Sequence, residues 1–294
     1  MFDLEKNTEK LLDVLKSSNI SLKEFHHRER NLREAEVLPG SAISSVSDRY
    51  YSLAHEIKSM AFLQNFGIIS VAEDANHHAG CDFILNDHYQ IECVCCSAGN
   101  AAEESGLASM ASLNNLDGKI IDYGREKAIL YSRLTNSIKE KTDFFSRHVK
   151  KGTLNPQKPY IIFLGLGPLS LELFAGEFGI EITSILFGKG NPTFLLDPST
   201  GKLHDNGYTH EKFLRKYNGA MLDCNIFMNS AYNCVSGIIV SAADLSEEYS
   251  AENTWMFINP FACTHIIKKD FSGMVYWDKT AQEYYPRRKY RRIY

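Results

Sequence analysis

Residues 80–96, GCDFILNDHYQIECVCC, decide how the rest of the chain is read. Two short apolar runs, Phe83 to Leu85 and the alternating Tyr89 to Cys95, flank Asn86-Asp87, the pattern of paired strands around a turn. Side chains alternate along a strand, so Glu92 and Val94 share one face while Ile91, Cys93 and Cys95 share the other. A carboxylate in the middle of an apolar strand is costly to bury alone. Glu92 therefore calls for a cation.

Upstream, Asp48 to Phe66 reads as a strong helix, with Ser47 as N-cap and Gly67 as terminator. Leu53, Ile57, Met60, Ala61 and Leu63 make its buried stripe, and Glu56 lies at the edge of that stripe rather than opposite it. Ile68 to Ala72 follows as a short strand, and Glu73 to Gly80 as a polar loop. Residues 2–36 read as two helices, the second opened by a Ser21/Glu24 capping box and so charged that we expect it to face solvent or an interface. Its adjacent His26 and His27 point about 100° apart on a helix and do not suit one metal ion.

Downstream, Ser97 to Asp117 is rich in Ala, Ser, Asn and Gly and reads as a flexible or weakly helical excursion. Lys119 to Lys151 carries a long helical pattern on which Arg133, Ser137 and Lys141 recur every fourth residue as a polar ridge. Tyr160 to Leu164 is continuously apolar, as a strand covered on both sides must be. Beyond Gly167 the pattern predicts a helix within Leu169 to Phe187, a strand at Thr193 to Leu196 and a helical turn at Glu211 to Tyr217. Cys234 to Ser241 and Trp255 to Ile258 are strands able to extend the sheet.

The chain's 294 residues, 44% hydrophobic, support a substantial core and exclude global disorder. Its formal charge of -4 is not that of a general polyanion binder, yet Arg287, Arg288, Lys289, Arg291 and Arg292 place five positive charges in the last eight residues. Removing those five leaves -9 on the remainder, so positive charge is concentrated where it can meet phosphate. Seven cysteines, an odd number with Cys93, Cys95 and Cys96 clustered, suit a reducing compartment better than a disulfide framework. MFDLEKNTEK lacks the apolar core of a signal peptide, and the most apolar window, Ile161 to Ile180, is broken by Gly, Pro and Glu. We expect a cytoplasmic protein without a membrane span.

Glu56 on a helix, Gly80-Cys81-Asp82 opening a strand, and Ile91-Glu92-Cys93-Val94 in the next strand resemble the PD-(D/E)XK nuclease superfamily. The likeness covers roughly residues 48–166 in the order helix, three strands, helix, strand. It implies an α/β restriction-endonuclease-like core with a mixed central sheet, preceded by a helical arm (1–47) and followed by a C-terminal extension (167–294). It implies a Mg²⁺ (or Mn²⁺) ion held by Asp82, Glu92 and the Cys93 carbonyl, with Glu56 in support, and hydrolysis of phosphodiesters. DNA is the expected partner, in defence or DNA processing, and a homodimer the expected assembly. Val94 stands where the family has its lysine. Lys141 is the expected replacement, with Arg133 beside it, and Lys139 the second choice.

Other readings compete. Cys81, Cys93, Cys95 and Cys96 with His77, His78 or His88 offer zinc-type ligands, without CxxC or HxxxH spacing; buried free cysteines are the default. Gly165-Leu166-Gly167 and Gly188-Lys189-Gly190-Asn191 lack the rest of a nucleotide-binding motif; the first reads as a turn and the second as a loop. The alternative to a nuclease is a module of the same fold that binds nucleic acid or protein without cutting, having lost its lysine.

Overall fold

The central hairpin closes because Asn86 and Asp87 accept left-handed backbone, at φ 53° and 57°, which these residue types tolerate through local hydrogen bonding. Asn86 also accepts the N–H of Ile68 and donates to the carbonyl of Phe66, tying the turn to the end of the preceding helix. These features come from a computed structural model that describes residues 3–18, 20–40, 46–71, 80–96, 123–167, 178–196, 199–200, 203–210, 213–215 and 221–277.

Five α-helices are described: α1 (Leu4–Ser17), α2 (Leu22–Glu36), α3 (Asp48–Leu63), α4 (Tyr123–Lys150) and α5 (Phe178–Phe187). The first four strands are β1 (Ile69–Val71), β2 (Phe83–Leu85), β3 (Tyr89–Cys95) and β4 (Tyr160–Gly165). After α5 come the hairpins β5 (Lys189–Leu196) with β6 (Leu203–His210) and β7 (Phe213–Arg215) with β8 (Met221–Asp223). The chain then returns to the main sheet as β9 (Val235–Ser241), β10 (Thr254–Ile258) and β11 (Val275–Trp277).

That sheet has seven strands in the order β1-β2-β3-β4-β9-β10-β11. It is mixed: β1, β2 and β3 are antiparallel neighbours, β4 runs parallel to β3 and β9 parallel to β4. β10 is antiparallel to β9, and β11 closes the edge parallel to β10. All six residues of β4 and all seven of β9 are buried, so the middle of the sheet is covered on both sides by an α/β arrangement. On one side α1, α2 and α3 pack over Ile91, Cys93, Ile161 and Phe163. On the other, α4 and α5 pack over Ile162, Leu164, Ile238 and Val240.

The helix boundaries follow their capping chemistry. Ser47 caps α3 by accepting the N–H of Tyr50 and donates to the Ala35 carbonyl at the end of α2. Tyr50 in turn receives Asn7 and pairs with Thr8, which fastens α1 to α3. Ser21 caps α2 as expected, accepting the Glu24 N–H, but the Glu24 carboxylate turns forward to Arg28 instead of back to Ser21.

Two expectations are corrected. α2 is not a solvated helix: Arg28, Leu32 and Ala35 are buried, spaced by four and three on one face, and this narrow stripe suffices to seat it. Phe213–Arg215 is a strand, not a helical turn, because it pairs with Met221–Asp223 across a hairpin, and pairing overrides the helical propensity of its neighbours. The excursion at 97–117 and the basic residues Arg287, Arg288, Lys289, Arg291 and Arg292 lie outside the described residues. Among the described residues no helix is long and apolar enough to cross a membrane.

Candidate active site

Charge gathers where β2 stops short. The ladder between β2 and β3 ends with Phe83 opposite Ile91, while β3 runs on to Cys95. Asp82 stands just outside β2, and its Oδ2 accepts the otherwise unladdered N–H of Cys93 at 2.7 Å. In an antiparallel ladder a residue's N–H and C=O address the same neighbouring strand. The Cys93 carbonyl is therefore turned toward the margin that Asp82 occupies.

Glu92 lies one residue earlier on β3, on the α4 side of the sheet, only 4% exposed. Its Oε1 accepts from Lys141 Nζ at 2.7 Å. Its Oε2 is buried with no hydrogen-bond partner among the described residues. Lys141 comes from α4 on the ridge read from the sequence: Ser137 lies 3.6 Å from Cys96 Sγ, and the charge of Arg133 reaches the same thiol. Tyr160 donates to the Lys141 carbonyl at 3.1 Å and packs its ring, tilted by 32°, on Phe145, which fixes this turn of α4 against β4. Lys139 is exposed and plays no part in the cluster.

From the opposite helical layer α3 brings Glu56. Its Oε2 accepts from Arg28 Nη1 at 3.0 Å, and Arg28 Nε donates to Glu24 Oε1 at 2.6 Å. The guanidinium also sits 5.8 Å from the centre of the Phe83 ring, the residue next to Asp82. Arg28 was not anticipated from the sequence. The available signal was Glu24 and Arg28 at a helical i, i+4 spacing, facing the same way as Leu32.

The electrostatics show how tightly the acids are gathered. Burial, then the negative charge of Asp82, pushes Glu92 up to about 8, with Lys141 pulling the other way. Burial and Asp82 likewise push Glu56 up to about 7 against the opposing pull of Arg28, although 28% of its side chain remains open to solvent, which moderates the push. Asp82 is raised by burial, opposed by the Cys93 N–H, Lys141 and Arg28. Burial alone would favour neutral Lys141 and Arg28, but the carboxylates outweigh it. Glu92 and Asp82 hold Lys141, and Glu56, Glu24 and Asp82 hold Arg28, above their ordinary values. Both cations stay charged.

Among the described residues, the cations that pair with Glu24, Glu56 and Glu92 in this network are Arg28 and Lys141, and both also act on Asp82. Were all four acids ionised they would outnumber the two cations by two charges; the fold without metal relieves this by keeping a proton on Glu92, which a Mg²⁺ ion would have to displace in order to bind. The Oε2 of Glu92 has no hydrogen-bond partner among the described residues and is the oxygen left open to such an ion. Mg²⁺ binds through one or two carboxylates and keeps several waters, which suits Asp82 and Glu92 with the Cys93 carbonyl. As the side chains stand, no group of three or more His, Cys, Asp or Glu among the described residues is gathered to hold a metal ion: Glu56 is turned to Arg28 and Glu92 to Lys141.

The cysteines around the site are thiols at neutral pH. Burial pushes Cys81 and Cys96 each up to about 12 and raises Cys93 well above an ordinary thiol, whereas zinc takes thiolates. Cys81 donates to the Phe83 carbonyl, and His88 stacks edge-on against Tyr89. His77 and His78 lie outside the described residues. No protein-family model matches this chain, and no curated protein or solved structure matches it significantly.

Proposed function

We propose that this chain is a divalent-cation-dependent nuclease that hydrolyses phosphodiester bonds, with DNA as its substrate, on a restriction-endonuclease-like core. The observation that carries the reading is the 2.7 Å pair between Lys141 and the buried Glu92, beside Asp82. It supplies from α4 the cation that Val94 cannot supply from β3. The order α3, β1, β2, β3, α4, β4, with three antiparallel strands and β4 parallel to β3, supports the same core.

A bound Mg²⁺ or Mn²⁺ would neutralise charge on the scissile phosphate and acidify a coordinated water. Asp82, Glu92 and the Cys93 carbonyl are the groups to hold it. Lys141 stays an ammonium, so it acts as a hydrogen-bond donor to negative charge that develops on the phosphate, not as a base. Glu56, raised toward neutrality, is suited to take a proton from the attacking water. Cutting both strands of a duplex calls for two such sites, hence a homodimer.

The test is cleavage of plasmid and oligonucleotide DNA with Mg²⁺ or Mn²⁺ by the full chain and by Asp82→Ala. The reading predicts cleavage by the first and a loss of roughly 10²-fold or more in the second, with DNA binding retained. A second reading, a non-cutting module that binds nucleic acid or protein, is favoured by Val94 at the motif position and by Arg28 already neutralising Glu56. DNA binding without cleavage under either metal would establish it instead. Deleting residues 287–294 then asks whether the basic tail touches phosphate: a flatter dependence of affinity on salt says that it does, and an unchanged slope that it does not.

A further inference from the structure

Arg28 holds a place on α2 that packing alone would give to an apolar side chain. It continues the buried stripe of Leu32 and Ala35, and only 9% of its side chain is exposed. A buried ion network is commonly no more stable than well-packed apolar side chains of similar volume. Stability is thus a poor reason for a guanidinium here, and its geometry offers a better one. Nε is fixed to Glu24 on its own helix at 2.6 Å, so Nη1 meets Glu56 Oε2 at 3.0 Å from a set direction. The planar fork of arginine makes such a two-ended link rigid in a way that lysine does not. The guanidinium lies 5.8 Å from the centre of the Phe83 ring, so it spans from Glu56 on α3 to the strand that begins beside Asp82.

We propose that Arg28 is a positioning residue of the hydrolytic site: anchored by Glu24, it clamps one oxygen of Glu56 so that the other serves the water shell of a cation held by Asp82 and Glu92. The inference rests on the nuclease reading and adds α2 to the parts of the chain that build the site. Glu56 then acts as a hydrogen-bond acceptor to coordinated water, and its orientation, not its charge alone, sets cation affinity.

The experiment is a calorimetric Mn²⁺ titration of the full chain with parallel plasmid cleavage, on the unaltered protein and on Arg28→Met, Arg28→Lys, Glu56→Gln and the Arg28→Met/Glu56→Gln pair. Arg28→Met leaves Glu24 and Glu56 without their cation and is expected to melt lower than the unaltered protein, while the Kd of its folded form for Mn²⁺ rises roughly tenfold. Arg28→Lys recovers part of that loss. The double variant binds no more weakly than the weaker single variant, because both changes dismantle one arrangement. If Arg28→Met unfolds, Arg28→Lys carries the test: a weakened Kd supports the clamp and an unaltered Kd overturns it. Unchanged affinity and cleavage in a folded Arg28→Met, or losses that add in full with Glu56→Gln, also overturn it while leaving the nuclease reading in place. An unaltered protein that neither binds Mn²⁺ nor cleaves overturns both, which separates the two failures.

Discussion

Gln90 and Glu92 stand two residues apart on the same face of β3, 3% and 4% exposed, and they are treated in opposite ways. Gln90 is answered at both ends: its amide donates to the carbonyls of Asn155 and Lys158, and its Oε1 accepts the Asn155 N–H at 2.7 Å. Glu92 is answered at one oxygen only. A fully satisfied buried polar group stitches the β3–β4 seam, whereas one left short of partners, among acids that raise one another's pKa, marks a place built for something further. On the proposed reading, the same strand carries a structural end and a chemical end.

The sharpest break of this comparison is at Lys141. Lys141→Ala should lower cleavage by roughly 10²- to 10³-fold, the usual cost of losing one preorganised donor. Full activity in that variant would remove the replacement-lysine idea altogether. Gln90→Ala should act at the other end, costing about 1–3 kcal/mol because it removes the hydrogen bonds that a buried side chain makes to Asn155 and Lys158. Urea titration reads that loss, and cleavage per folded molecule should not change. A Gln90→Ala protein that is as stable as the unaltered one but inactive would reverse the assignment of the two ends.

The smallest effect is in pH dependence. Glu92 rises from an ordinary 4.5 to about 8 in the folded chain, so the metal-free fold binds its proton more readily than the unfolded chain does. That contribution to stability is complete below the unfolded value and is lost as pH rises toward about 8. His55, driven down to about 4 by burial, titrates below this range in the fold, and its linkage ends near 6.5. Lys58, driven down to about 8 by burial, begins its own change only there. Between pH 6.5 and 8 the metal-free urea midpoint should therefore fall with rising pH, with Glu56, pushed up to about 7, adding to the fall at the lower end of the range. Glu92→Gln should flatten the fall; an equal slope in both proteins would place the strain elsewhere.

Much of the site's scaffold was legible in the residues. Ser47 and Gly67 bounded α3 because capping and left-handed turns are local chemistry. Asn86-Asp87 announced the hairpin for the same reason, and the unbroken apolar run at Tyr160 announced a strand buried on both faces. Lys141 was legible as a member of a ridge, since a period of four puts it on one side of α4. Arg28 was not, because a helix with so few apolar residues reads as solvated, and only its seat against α3 shows that one charged side chain completes the buried stripe. The hairpin at Phe213 was hidden likewise, because its strand depends on a partner several residues away. The return of β9 to lie beside β4 was hidden by distance: the two strands are some 70 residues apart, and no local signal specifies which distant strands pair.

The central claim is that Asp82 and Glu92 share one divalent cation at the margin of β2, and Mn²⁺ binding tests it most directly. A titration at neutral pH followed by water-proton relaxation should find one Mn²⁺ bound per chain, lost on Asp82→Ala. A chain that binds no Mn²⁺, or an Asp82→Ala variant that binds it as tightly as the unaltered protein, would contradict the account.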